Sequence, residues 1–235
     1  LHELDMVWMR KDPPFDMEYV YATYALDLVA KDTLVCNHPT SLRAFNEKFL
    51  VHHFAQFAPP TLTSRNAQHL RDFLSQHKKV VFKPLNKMGG QNIFVVEAND
   101  RNRQVVIETL TQNGQETIMA QKYMPEIAQG DQRILLFGGQ PLPQKVVRIP
   151  SEEDHRGNLA AGASVKIEPL SARQKEICAA VGPFCQKHGL YFVGLDTIGD
   201  FVTEINITCP TTLREMDQVT GTSSAKQLIE AIWIT

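Results

Sequence analysis

One stretch constrains the fold more than any other: Phe192-Val193-Gly194-Leu195-Asp196-Thr197-Ile198-Gly199-Asp200-Phe201-Val202-Thr203-Glu204-Ile205-Asn206. β-Branched and aromatic residues flank a Gly-Asp pair, the pattern of two short strands around a tight turn. Side chains alternate faces along a strand, so Glu204 and Asn206 share a face. A three-residue loop, Gly199 to Phe201, pairs Ile198 with Val202, Asp196 with Glu204 and Gly194 with Asn206. The other face then pairs Thr197 with Thr203, Leu195 with Ile205 and Val193 with Ile207, and it is apolar. A two-residue loop sets Leu195 opposite Glu204 and mixes the faces. Slipping by one residue is costly where one face is buried, so the three-residue loop is expected.

That register sets two carboxylates side by side, and directly opposed like charges destabilise a sheet. A divalent cation removes the penalty. Two carboxylates and an amide oxygen are hard ligands, suited to magnesium rather than zinc. The alternative is a hairpin whose acids face water, as exposed acids commonly do.

Basic residues precede the hairpin. Lys48, Lys83, Arg133 and Arg148 sit near expected strand ends or helix starts, and each alone reads as a surface charge. Lys83 stands out because Lys87-Met88-Gly89-Gly90 follows it on the loop between two expected strands. Glycines let backbone N–H groups approach an anion, and a nearby ammonium adds charge. The loop is not of the G-x-x-x-x-G-K-[ST] kind, and read alone it is also an ordinary hairpin tip. Pro150 to Ser164 is polar, glycine-bearing and long for a structureless connection, which marks either a functional lid or a disordered loop. Cations for phosphates, a glycine loop and acids for their metal make up a nucleotide site.

Composition narrows the class. The 235 residues fit one large domain or two small ones, and 43% hydrophobic with 21% charged is ordinary for a globular protein. Twenty-four basic and 26 acidic residues give a net charge of −2, with no basic block to bind nucleic acid. No apolar run reaches membrane-spanning length, and no signal peptide opens the chain. Cys36, Cys178, Cys185 and Cys209 lack metal or redox spacing and read as buried free thiols, which suits the cytoplasm. The chain opens near a strand without an initiator Met, so a missing start is expected.

Periodicity supplies the other elements. Strands are expected at Leu4–Met9, Thr33–Cys36, Thr61–Thr63, Lys79–Leu85, Ile93–Glu97, Thr117–Tyr123, Gln132–Phe137 and Gln144–Ile149. Helices are expected at Glu18–Ala30, with Tyr21, Tyr24, Ala25 and Leu28 on its apolar stripe, and around Leu42–Phe54, capped by Ser41. Further helices are expected from Asn66 or Ser64 to His77, and over Asn102–Gln112, Ser171–His188 and Ser223–Ile234.

Several segments together resemble prokaryotic glutathione synthetase, within the ATP-grasp ligases. They are Met9 to Asp16 (MRKDPPFD), Asn46-Glu47-Lys48, Lys83-Pro84-Leu85 with Met88-Gly89-Gly90, Arg156 to Gly162 (RGNLAAG), Val193 to Asp196 and Thr203 to Asn206. The resemblance implies an α+β (α/β) ATP-grasp fold. Residues 1–44 would be the remnant of an N-terminal α/β domain, 45–118 the small ATP-grasp subdomain, and 119–235 the central subdomain with the metal and substrate site. It also implies that a family segment of roughly 80 residues is absent from the front, part of a domain of ordinary size.

The implied cofactors are ATP and Mg2+, with Mn2+ as the alternative. The resemblance assigns Lys48, Lys83 and the Met88-Gly89-Gly90 loop to ATP phosphates, and Gln121, Lys122, Tyr123 and Met124 to adenine. It sets Asp131 near the ribose, and Asp196, Glu204 and Asn206 on the metal. Arg133 and Arg148 face phosphate and the reacting carboxylate, while Arg156 and Asn158 belong to the closing lid. Arg10, Arg148 and Arg214 serve the peptide substrate. The implied substrates are γ-glutamylcysteine and glycine, joined through an acyl phosphate to form glutathione. The implied assembly is a homo-oligomer, a tetramer in the family, with neither nucleic acid nor membrane as partner. Two alternatives stand beside it: another ATP-grasp carboxylate–amine ligase, or a truncated ATP-binding chain without catalysis. The chain departs from the family pattern at Asn86-Lys87, where Asp-Gly is usual, and at Cys209, where Ser is usual.

Overall fold

The computed structural model describes residues 1, 3–149 and 164–233. Three sheets organise the chain. Strands β1 (Met6–Trp8) and β2 (Leu34–Cys36) form a parallel pair, joined by helix α1 (Met17–Asp27). After α2 (Pro39–Ala44) and a 3-10 segment (Phe49–Phe57) comes a four-stranded antiparallel sheet in the order β3-β6-β4-β5. Its strands are β3 (Thr61–Ser64), β4 (Lys79–Pro84), β5 (Phe94–Glu97) and β6 (Ile118–Lys122), with α3 (Ala67–His77) and α4 (Arg103–Thr111) between them. The five-stranded antiparallel sheet follows, in the order β11-β10-β7-β8-β9. It contains β7 (Asp131–Phe137), β8 (Gln140–Ile149), β9 (Ser164–Pro169), β10 (Phe192–Ile198) and β11 (Phe201–Asn206). Helix α5 (Ala172–Lys187) precedes β10, and α6 (Leu213–Thr220) and α7 (Ser224–Trp233) close the chain.

Two-residue periodicity explains the layers. On β7, Ile134 and Leu136 pack with Ile177 and Val181 of α5, while Leu135 and Phe137 pack on the opposite face with Leu228 and Ile232 of α7. Both faces are covered there, so the second half of the strand, Ile134 to Phe137, reads as an apolar run. The four-stranded sheet is covered on one face only. Val80 and Phe82 of β4 meet Leu70 and Leu74 of α3, and each such buried side chain contributes roughly 1.5–3 kcal/mol. The alternate residues Lys79, Val81 and Lys83 must face the other way, into a cleft between the two large sheets. Helix α5 carries a full capping box, Ser171 with Gln174, and approaches the β7–β8 turn closely enough that a Cβ on Gly182 would lie 2.3 Å from the Gly139 carbonyl oxygen.

Several expectations need correction. The hairpin has the expected pairs Gly194–Asn206, Leu195–Ile205 and Asp196–Glu204, but Thr197 pairs with Val202 and Ile198 with Phe201. The loop is therefore the two-residue Gly199-Asp200, and a bulge at Thr203 absorbs the extra residue. A bulge lets a tight turn coexist with the register the buried face demands, and it re-aims the bulged residue. On α1 the buried residues are Tyr19, Thr23 and Leu26, while Tyr21, Tyr24 and Leu28 are exposed, opposite to the expected stripe. Ser41 lies inside α2 rather than capping a long helix, and its hydroxyl donates to the His188 carbonyl. Strand β6 is hydrogen-bonded to β3 and β4 within the four-stranded sheet. Cys36, Cys178 and Cys185 are buried as expected, whereas Cys209 is half-buried at the cleft.

Candidate active site

The cleft between the sheets holds a cavity of about 950 Å³. Its floor comes from the five-stranded sheet, where register sets charged residues across neighbouring strands. Asp131 pairs with Arg148 and Arg133 with Asp196, opposite charges, while Asp196 pairs with the like-charged Glu204. Arg133 grips Asp196 at both oxygens, Nε to Oδ1 at 2.7 Å and Nη2 to Oδ2 at 2.6 Å, and reaches the Thr211 hydroxyl at 3.3 Å. Arg148 lies 3.1 Å from Asp196 and also donates to Asp131. Gly194 makes room for this arrangement: a Cβ there would stand 3.2 Å from Pro210 and 3.3 Å from the Arg133 side chain.

Burial opposes ionisation of Asp196, but the guanidiniums of Arg133 and then Arg148 outweigh it and hold the carboxyl below the usual range. Asp131 moves the other way, to about 6, because burial outweighs Arg148. The like-charge conflict expected between Asp196 and Glu204 is answered here by protein cations, with Lys48 3.1 Å from Glu204. Asn206 donates to Asp196 Oδ2 at 3.2 Å and to the Gly194 carbonyl at 3.1 Å. Two carboxylates and an amide thus meet on one face, a donor set that fits a hard divalent cation. Among the described residues, no group of three or more His, Cys, Asp or Glu is arranged to hold a metal.

The other wall comes from the four-stranded sheet. The Lys83 ammonium is buried and donates to Gln121 at 3.0 Å and to the Thr203 carbonyl at 3.3 Å. That carbonyl belongs to the bulge, so the irregularity in β11 supplies the bond between the two sheets. Burial lowers the Lys83 pKa, against a smaller opposing pull from Glu204. The Lys48 ammonium donates to the Lys87 carbonyl at 2.6 Å, at the base of the glycine loop. Gly89 and Gly90 have φ of +63° and +76°, where a side chain is strained. Lys79 lies over the Tyr123 ring at 4.5 Å, and Val81, Val95, Met124, Ile127 and Ile198 give the cavity its apolar lining.

The structure gathers most of the expected site. Lys48, Lys83, Met88, Gly89, Gly90, Gln121, Lys122, Tyr123, Met124, Asp131, Arg133, Arg148, Asp196, Glu204 and Asn206 all border the one cavity. Arg10 and Arg214 do not. Arg10 donates to the Pro210 carbonyl at 2.8 Å and lies over Phe192 at 5.2 Å. Arg214 is exposed in the first turn of α6. Arg156 and Asn158 lie outside the described residues, as does the rest of the expected lid up to Ser164, the first residue of β9. One residue without an expected role is also there. Glu47 lines the cavity and accepts hydrogen bonds from Ile207 and Thr208. Its place beside Lys48 was the only signal in the sequence.

Two sheets clasping a cleft, with lysines on one and acids on the other, define an ATP-grasp ligase. Solved structures agree on the fold. D-cycloserine synthetase DcsG superposes with a TM-score of 0.75 at 14% identity, covering 98% of this chain and 84% of that one. The D-alanine–D-alanine ligase of Bacillus anthracis superposes with a TM-score of 0.66 at 15% identity, covering 98% and 79%.

The family models for the prokaryotic glutathione synthetase N-terminal domain and ATP-grasp domain match residues 1–43 and 47–221. The glutathione synthetase of Pseudomonas aeruginosa is 51% identical over 233 residues, 99% of this chain and 74% of that protein. That of Coxiella burnetii is 48% identical over 230 residues, 97% and 72%. The chain belongs to the prokaryotic glutathione synthetase family, whose activity is ATP-dependent glutathione synthesis.

Proposed function

We propose that the chain joins γ-glutamylcysteine to glycine at this cleft, with ATP as the energy source. The observation that carries the reading is the shared cavity, in which lysines of one sheet face acids of the other. Lys48, Lys83 and the Met88–Gly90 backbone contact the phosphates, and Gln121 to Met124 together with the apolar lining hold adenine. Asp196, Glu204 and Asn206 hold the divalent cation, magnesium in our assignment with manganese as the alternative. That cation supplies neutralising charge to the phosphates.

Arg133 and Arg148 face the carboxylate that receives the γ-phosphate, where fixed cations offset the charge that develops during transfer. Glycine's amine then attacks the acyl phosphate, the bond to phosphate breaks, and the tripeptide leaves. Closure by residues 150–164, with Arg156 and Asn158, would keep water from the acyl phosphate. Arg10 and Arg214 lie off the cavity wall, so any part they take in peptide binding requires a longer ligand or a movement. The buried thiols suit a reducing compartment, and we assign the chain to the cytoplasm as a homo-oligomer.

One assay tests the reading: mix the protein with magnesium, ATP, γ-glutamylcysteine and glycine, and measure ADP and tripeptide. Matched release of both is expected. ADP release that needs another acceptor would point to a different carboxylate–amine ligase. Glu204→Gln is expected to lower metal-dependent turnover by at least about a hundredfold, as loss of a charge-stabilising group does, with little change in melting temperature. Equal losses of rate and stability would remove Glu204 from the metal.

A further inference from the structure

Residues 45–48 run between α2 and the 3-10 segment outside regular helix or strand, held by a few backbone bonds such as Leu50 N–H to the Asn46 carbonyl at 2.8 Å and by their side chains. The side chains reach in divergent directions. The Asn46 amide donates to the Leu85 carbonyl at 2.9 Å, at the foot of the glycine loop. Lys48 reaches the Lys87 carbonyl and Glu204. Between them, Glu47 Oε1 accepts three hydrogen bonds: Ile207 N–H at 2.7 Å, Thr208 N–H at 2.8 Å and the Thr208 hydroxyl at 2.8 Å. The Glu47 carbonyl accepts the Ile205 N–H at 3.0 Å, one residue from Glu204.

Burial, and after it the charge of Glu204, raises the Glu47 pKa, so the three bonds rest on an accepting oxygen and not on a full charge. Without that oxygen, two backbone N–H groups and a hydroxyl just beyond β11 lose their partner, which costs free energy. The lysine that meets Glu204 is the very next residue. Glu47 and Lys48 thus hold neighbouring points of one segment, the chain just beyond β11 and the Glu204 carboxylate within it.

We propose that Glu47 is a positioning residue: by pinning the chain after β11, it fixes Lys48 in register with Glu204 and so sets the affinity for the phosphates of ATP. The inference rests on the reading in which Lys48 contacts those phosphates. It separates Glu47 from a merely structural acid, whose loss would lower stability without singling out one substrate.

The test is a double-variant cycle on the whole chain, reading the Kd of magnesium-ATP by calorimetry, the KM of γ-glutamylcysteine and of glycine, and the melting temperature. Glu47→Ala is expected to weaken ATP binding by about ten- to a hundredfold, the scale of an ångström-sized misplacement. Both KM values for the peptide and glycine should stay within about threefold, the ordinary spread of uncoupled sites. Glu47→Gln keeps an accepting oxygen and should recover most of the loss.

In the Lys48→Ala background, Glu47→Ala should add little, because the effect passes through Lys48. Additive losses in the double variant would overturn the proposal, as would a KM effect confined to the peptide. Should Glu47→Ala not fold, Glu47→Gln serves the same cycle: a smaller ATP loss, absent without Lys48, supports the proposal, and a loss that persists there overturns it. A Lys48→Ala protein that binds ATP like the wild type overturns the phosphate reading itself. A weakened Lys48→Ala beside an unaffected Glu47→Ala overturns only the role of Glu47.

Discussion

The two hairpins that face each other across the cleft are built on opposite principles. In β10–β11 the charged side chains are locked, with Asp196 taking three bonds from two guanidiniums in a buried floor. In β4–β5 the tip is open. Met88 is 38% exposed, and a Cβ on Gly89 would meet nothing within 4 Å. Preorganised charge sits where the core already dictates register, while the tip we propose to meet the phosphates is left with backbone freedom. A floor held by mutual ion pairs keeps its geometry before ligands arrive, which is where electrostatic stabilisation is most effective.

The largest expected effect breaks the floor. Asp196→Asn leaves Arg133 and Arg148 short of their shared counter-charge, and removing one partner of a buried pair costs about 3–5 kcal/mol. Urea unfolding should show this loss, and turnover should fall with it. A loss below about 1 kcal/mol, the scale of exposed pairs, would mean that the floor is not locked.

A second test uses pH. The Asp131 carboxyl is raised to about 6 from an ordinary value of 3.8, burial being the main cause. Its folded-state pKa exceeds its unfolded one, so the folded chain takes up this proton first as pH falls. Stability from this group is therefore present at low pH and lost as pH rises through about 6. Asp131→Asn should flatten the stability-against-pH curve between about pH 4 and 6 by up to one proton in slope. Asp196, shifted the other way, contributes stability that is lost only as pH falls below the ordinary carboxylate range, so the two windows are separate. An unchanged slope in Asp131→Asn would contradict the assignment.

The smallest effect probes the tip. Gly89→Ala introduces a side chain at φ +63° with open space around it. The backbone cost is about 1–2 kcal/mol, borne by a loop outside the core. Global stability should fall by no more than about that amount, while the KM for ATP rises. A large fall in stability would show the tip to be as tightly built as the floor.

The same contrast explains what could be read from the residues alone. The alternation of Leu195 and Ile205 with Asp196 and Glu204 made the floor legible, because a buried face allows only one register. The turn was misjudged because a bulge leaves no mark in the alternation until the tight Gly199-Asp200 loop is seen to need one. The apolar run Ile134 to Phe137 of β7 and the capping residues Asn66 and Ser171 were legible for similar local reasons. The face of α1 was not. Its apolar residues run nearly all round the helix, and which of them is covered depends on neighbours distant in sequence. The pairing of Arg133 and Arg148 with Asp196 was also hidden. Charges of opposite sign 63 and 48 positions apart carry no local signature, and only strand order brings them together.

We propose that β10–β11 and the two lysines form one phosphate and metal site. A crystal structure of the chain with magnesium and a non-hydrolysable ATP analogue tests it directly. The account predicts the metal on Asp196, Glu204 and Asn206, with the triphosphate between Lys48 and Lys83. Metal and phosphates found elsewhere on the chain would contradict it.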